Sequence, residues 1–183
     1  VVLNRLYSFT QMQDTFNVNM LALVQTHEGK FEPKVLNLKE AIVHYIRHQE
    51  DVIRRRTRYD LEKAEARAHI LEGLKIAIDN LDEVIRIIKG SKTEAAAKES
   101  LMERFSLSEK QAQAIVDMRL GRLTALELEK LEAEYRELLE KIAYYRDVLE
   151  KPELVAAIIK EELTEIKQKY GDERRTSITT EES

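Results

Sequence analysis

The chain has no cysteine, no tryptophan, two prolines and five glycines among its 183 residues. Without cysteine there are no disulfide staples and no thiolate metal sites, so a metal would have to be held by carboxylates or by the four histidines. So few glycines and prolines leave too few turns for a sheet-rich fold. The glycines also stand singly, which leaves no glycine-rich loop to cradle a phosphate. No stretch approaches the roughly 18 uninterrupted apolar residues of a membrane span. The opening Val1-Val2-Leu3-Asn4-Arg5 lacks the basic-then-apolar order of a signal peptide. A soluble, unexported chain of the reducing cytoplasm is expected, with no membrane partner.

What is present is 43% apolar and 35% charged, with aromatics at only 6%. That share is too apolar for a disordered chain and points to long helices. The 30 basic and 34 acidic residues leave a net charge of −4, so any claim of nucleic-acid binding must rest on local clustering. The absent initiator methionine and the polar close Ile178-Thr179-Thr180-Glu181-Glu182-Ser183 read as an excised fragment ending in a linker.

The first 36 residues differ from the rest. Asn19 to Gln25 is a short apolar run, Glu28-Gly29-Lys30 supplies a turn, and Pro33 to Leu36 follows as a second extended piece. A β-hairpin is expected, and since two strands alone are marginal in water it reads as the remnant of a larger upstream domain. From Asn37 the pattern is helical, opened by a capping box of Asn37 and Glu40. Apolar positions Ile46, Ile53, Leu61, Ala64, Ala68 and Leu71, bridged by Thr57, form a helical stripe with a stutter. At 1.5 Å per residue, Leu38 to Glu72 would reach roughly 50 Å, and a helix that long needs a partner.

The partner lies downstream. Leu128, Leu131, Tyr135, Leu138, Ile142, Tyr145 and Leu149 alternate spacings of three and four, the a/d seam of a left-handed coiled coil. Thr124 with Glu127 reads as its capping box, stapled by Leu123 and Leu128. Two such helices predict an antiparallel arm, preferred over an ordinary bundle, with the first helix kinked at Gly73. Between them three shorter helices would form a knob. One ends at Gly90. A second is capped by Ser91 and Glu94 and runs to about Arg104. The third is capped by Ser108 and Gln111 and runs to about Leu120. Pro152 at a first-turn position opens a last helix ending near Gly171.

No catalytic constellation is present. His44 and His48 share a helix face, but Tyr45 stands where a metalloprotease motif needs glutamate, so neither a catalytic nor a metal site is expected. Tyr135 and Tyr145 are better explained as core than as nucleophiles. The one strong charge feature is Arg54-Arg55-Arg56-Thr57-Arg58. It either offers guanidinium groups to nucleic-acid phosphates or is a solvated face paired with Glu50, Asp51 and Asp60. The segment Glu109 to Leu120 carries apolar residues on more than one face, more than a small knob can bury. Gln111, Ala112, Ala114, Ile115, Met118, Arg119 and Leu120, with Leu123 in the following turn, are therefore expected to form a two-fold contact between copies of the chain.

The stretch Val52-Ile53-Arg54-Arg55-Arg56-Thr57, followed by Lys63-Ala64-Glu65-Ala66-Arg67-Ala68-His69-Ile70-Leu71-Glu72-Gly73-Leu74, closely resembles the coiled-coil segment of the gyrase A-subunit family of type IIA DNA topoisomerases. Leu107 to Leu120, Arg122-Leu123-Thr124, Glu161-Glu162-Leu163 and Gly171 to Thr176 agree in the same order. The paralogous topoisomerase IV subunit shares the pattern more loosely. The resemblance implies a mainly α fold: a long antiparallel coiled-coil arm with a small helical knob at its tip, plus the hairpin remnant. On that reading residues 1–36 end the family's tower domain, 37–72 are the outgoing helix, 73–123 the tip, 124–150 the returning helix, 151–171 a C-terminal helix and 172–183 a linker tail.

The implied role is the exit gate, where two knobs meet and part to release the transported duplex during ATP-dependent supercoiling in a bacterial cell. The family's catalytic tyrosine matches no residue here, so the chain alone should be no enzyme and hold no cofactor. ATP and Mg2+ would enter through the enzyme's other, B-type subunit. The partners would be a second copy of the chain, double-stranded DNA and that B-type subunit. A nucleic-acid-binding arm acting through the arginine run is the competing class.

Overall fold

The computed structural model describes residues 1–180; the last three residues of the expected linker tail lie outside it. The chain divides into two compact units, Val1–Gln49 and a second that begins at Glu50.

The first unit opens with a helix the sequence reading did not anticipate, α1 (Val2–Phe9), which has no buried residue. The expected hairpin follows: β1 (Leu21–Gln25) pairs antiparallel with β2 (Phe31–Val35), Leu21 opposite Val35 and Gln25 opposite Phe31. Gly29 makes the turn at φ 79°, where a residue without Cβ is at no cost. Helix α2 (Leu38–Asp79) starts with the expected capping box. The Glu40 amide donates to Asn37 Oδ1 at 2.8 Å, and the Asn37 amide returns a bond to Glu40 Oε2 at 2.9 Å. That backbone donor holds the Glu40 carboxyl below its ordinary pKa.

In the second unit α2 packs against α6 (Ala125–Glu150), which runs antiparallel to it. Ala64, Ala68 and Ile142 are buried together, with Leu61, Tyr135, Leu138 and Tyr145 packed around them. The small alanine side chains on α2 leave room for Ile142, which is buried between them. Glu65 takes Arg146 at 2.6 Å, Arg67 donates through two nitrogens to Glu134 at 2.7 and 3.1 Å, and the Tyr135 hydroxyl donates to Glu72 at 2.9 Å. These polar contacts are exposed, so each is worth about 1 kcal/mol or less and serves to fix register. The paired guanidinium lowers the Glu134 pKa, and the bond to Glu72 raises that of Tyr135.

The seam departs from the expected heptad at both ends. At one, Val148 is buried and Leu149 only half-buried. The cause is α7 (Pro152–Tyr170), opened by Pro152 as expected, which brings Val155 and Ile159 against Ile53 and Val148. A third helix there selects the position three residues after Tyr145 instead of four. At the other end Leu128 and Leu131 are only half-buried and join no buried cluster. Thr57, the polar member of the stripe, is buried as the pattern required.

Helix α2 also runs through Gly73 to Asp79, and the break falls at Asn80, before α3 (Leu81–Gly90). Gly73 is buried because it is the point of closest packing, not a hinge: a Cβ there would stand 2.7 Å from Gln111 Cβ and 2.8 Å from its Cγ. Residues 171–180 form no helix or strand.

Two substitutions test this packing. Ile142→Asp places a carboxylate between Ala64 and Ala68 in an apolar cluster and should cost about 3 kcal/mol, lowering the melting midpoint by roughly 6–12 °C in circular dichroism; a midpoint within a degree or two of the parent would show an unburied seam. Gly73→Ala should cost about 1–3 kcal/mol through overpacking, whereas a true kink site would gain stability from the better helix former.

Candidate functional site: the helical knob and the arginine run

The knob is built from the end of α2, α3, α4 (Glu94–Phe105), α5 (Glu109–Val116) and a short 3-10 turn, Leu120–Leu123. Its core is Ala77, Val84, Leu101, Leu107, Ala112 and Ile115. Local signals set most of the boundaries. Ser108 caps α5 in a full capping box with Gln111, as expected. The cap of α4 is Thr93, which accepts from the Ala96 amide at 3.2 Å. Ser91, expected in that role, closes α3 instead and donates to the Ile87 carbonyl at 2.8 Å. Ser106 takes the left-handed conformation, φ 54°, that ends α4. Thr124 precedes α6, but its hydroxyl turns back to the Gly121 carbonyl at 3.4 Å, so the expected box with Glu127 does not form. Glu127 engages Lys130 and Arg122 instead.

Gln111 joins α5 to α2. Its amide donates to the His69 carbonyl at 2.7 Å, and Ser108 Oγ lies 2.7 Å from His69 Nε2. With Gly73 beneath it, this buried glutamine locks the knob to the helix below.

The residues expected to form an intermolecular contact therefore divide. Gln111, Ala112 and Ile115 are buried in the chain's own knob and offer no surface. Ala114, Met118 and Leu123 are half-buried, Arg119 is exposed, and Leu120 is 80% exposed. The expected helix to Leu120 ends at Val116, because Asp117, a weak helix former, closes it and Arg119 is extended. That early end is what turns Leu120 out of the core. Leu126, in the first turn of α6, is also 62% exposed; its only signal in the sequence is that it is an apolar residue two positions before the seam.

The arginine run also divides. Arg55 pairs with Asp51 at 2.9 Å and Arg56 with Glu162 of α7 at 2.6 Å. Glu50 and Asp60, the other carboxylates expected to neutralise it, pair with none of the four. Arg54 and Arg58 make no ion pair or hydrogen bond with any described residue. One helical turn apart, they share a face of α2. Among the described residues no group of three or more His, Asp or Glu could hold a metal ion, and no helix is long and apolar enough to cross a membrane.

Comparison with known proteins gives a consistent result. The family model for the DNA gyrase/topoisomerase IV A-subunit matches residues 1–164. The DNA gyrase A-subunit of Clostridium acetobutylicum is 58% identical over 183 residues, all of this chain and 21% of that protein. Its counterpart in Halalkalibacterium halodurans is 59% identical over 182 residues, again with 21% of its length covered. That of Staphylococcus aureus strain MRSA252 is 56% identical over 178 residues, 97% of this chain and 20% of that protein. The chain thus spans about a fifth of the length of the curated relatives it matches, and with its hairpin, paired long helices and knob it belongs to the DNA gyrase/topoisomerase IV A-subunit family.

Proposed function

We propose that this chain is the exit-gate segment of a gyrase A-subunit, holding two such polypeptides together through the knob and parting to release a DNA duplex during ATP-dependent supercoiling. In that enzyme ATP and Mg2+ enter through the B-type subunit, and this segment contributes no catalytic group. The observation that carries the reading is the exposed apolar turn. Leu120 at the end of the knob and Leu126 in the first turn of α6 stay exposed although the knob's own core is closed, with half-buried Met118 and Leu123 nearby in the sequence. An isologous contact between two such turns would cover that surface. Sedimentation of the 183-residue chain should report a dimer, and Leu120→Asp with Met118→Glu a monomer of unchanged helicity. A dimer that survives both substitutions, or a monomeric parent, would overturn the gate.

The free pair Arg54 and Arg58 supports a second element of the proposal, weak contact with the duplex. Weakness fits the role, since a duplex held tightly at an exit could not leave. Converting both to Gln should weaken duplex binding at low salt and reduce the slope of log affinity against log salt by about 2, one counterion per lost cation. Unchanged affinity and slope would make the run a solvated face.

A further inference from the structure

Near the base of the knob, α2 and α6 stand apart. Leu71, Leu74 and Ile78 on one wall and Leu128, Leu131, Tyr135 and Leu139 on the other line a groove of about 550 Å3. Pockets that bury small ligands have this size and this predominantly apolar wall. The groove stays open because each helix is held from elsewhere. Gly73 and Ala77 bind α2 to the knob, so beyond Ala64 and Ala68 the side it turns to α6 carries Leu71, Leu74 and Ile78 in place of small residues.

Four charged residues complete the lining: Lys75 and Asp79 on α2, Glu132 and Arg136 on α6. None makes an ion pair or hydrogen bond with a described residue. Their order along the groove follows from the contact between Glu72 and Tyr135. Counting up α2 and down α6 from it, Arg136 lies level with Leu71, Lys75 with Glu132, and Asp79 with Leu128. Lys75 and Glu132 therefore cancel in the middle. Arg136 marks one end and Asp79 the other, roughly 12 Å apart along the helix axis.

We propose that this groove is a binding site for an elongated zwitterionic amphiphile, its apolar body between the leucine walls, its anionic end at Arg136 and its cationic end at Asp79. The site does not depend on the gate reading, because both walls belong to one chain. It can be tested on the 183-residue chain with the neutral fluorophore N-phenyl-1-naphthylamine, displaced by ω-aminoundecanoate, undecanoate or undecylamine. The expected result is saturable probe fluorescence and displacement by ω-aminoundecanoate at up to about fivefold lower concentration than by either singly charged analogue, the scale of the one further exposed ion pair it makes. Arg136→Gln should remove its advantage over undecylamine. Leu131→Trp, which fills the groove, should abolish probe binding while helicity and melting midpoint hold; Leu139→Glu, at an exposed position of the same wall, makes the groove polar and serves as the test if that variant unfolds. Fluorescence that never saturates, binding unchanged in the groove variants, or a ranking that follows apolarity alone would overturn the site.

Discussion

A 42-residue helix with a narrow, stuttering apolar stripe cannot stay folded on its own propensity, and that constraint organises everything from Glu50 onward. Its solution is a second helix running the other way, and the stripe's composition decides where the two meet closely. Alanine at 64 and 68 leaves room for Ile142, while Ile53 is covered by Val148, Val155 and Ile159 from two other helices. Fully burying each of these aliphatic side chains contributes about 1.5–3 kcal/mol, well above any of the half-exposed ion pairs alongside. Apolar packing therefore holds the pair together, and the ion pairs choose its register.

The knob depends on a different device, a polar one. A buried glutamine in a helical interior is costly unless its donors and acceptor are used. Gln111 uses them on the Ser108 amide, as the returning half of a capping box, and on the His69 carbonyl across the interface. One side chain thus caps the start of α5 and seats it on α2. Gly73 makes room for it, which accounts for glycine in the middle of a long helix where its propensity is unfavourable.

Much of this was legible in the sequence because the signals were local. The capping boxes at Asn37 and Ser108, the proline opening the last helix and the turn at Gly29 each involve residues a few positions apart, and each folds as the pattern says. The misreadings share a cause in contacts between distant segments. Gly73 looks like a kink until Gln111 is known to sit on it. Leu149 continues the heptad until α7 is known to claim Val148. Ala112 and Ile115 look like surplus apolar surface until Ala77, Val84 and Leu101 are known to pack with them. Periodicity identifies which face of a helix is buried, but not whether the burying partner is the same chain or another.

That distinction sets what the candidate surfaces can do. The knob closes its own core and still leaves Leu120 and Leu126 outside, so a contact made there can be broken without unfolding the knob. The proposed gate would require that separation: if the apolar residues completing the fold were also those joining two copies, every opening would expose the core. The arginine run is divided in the same way. Arg56 is committed to Glu162, where it ties α2 to α7, while Arg54 and Arg58 keep their charge unpaired among the described residues. On the reading proposed above, two unpaired guanidinium groups on one helix face would attract a polyanion through counterion release and recognise no base, which would suit passage of a duplex of any sequence.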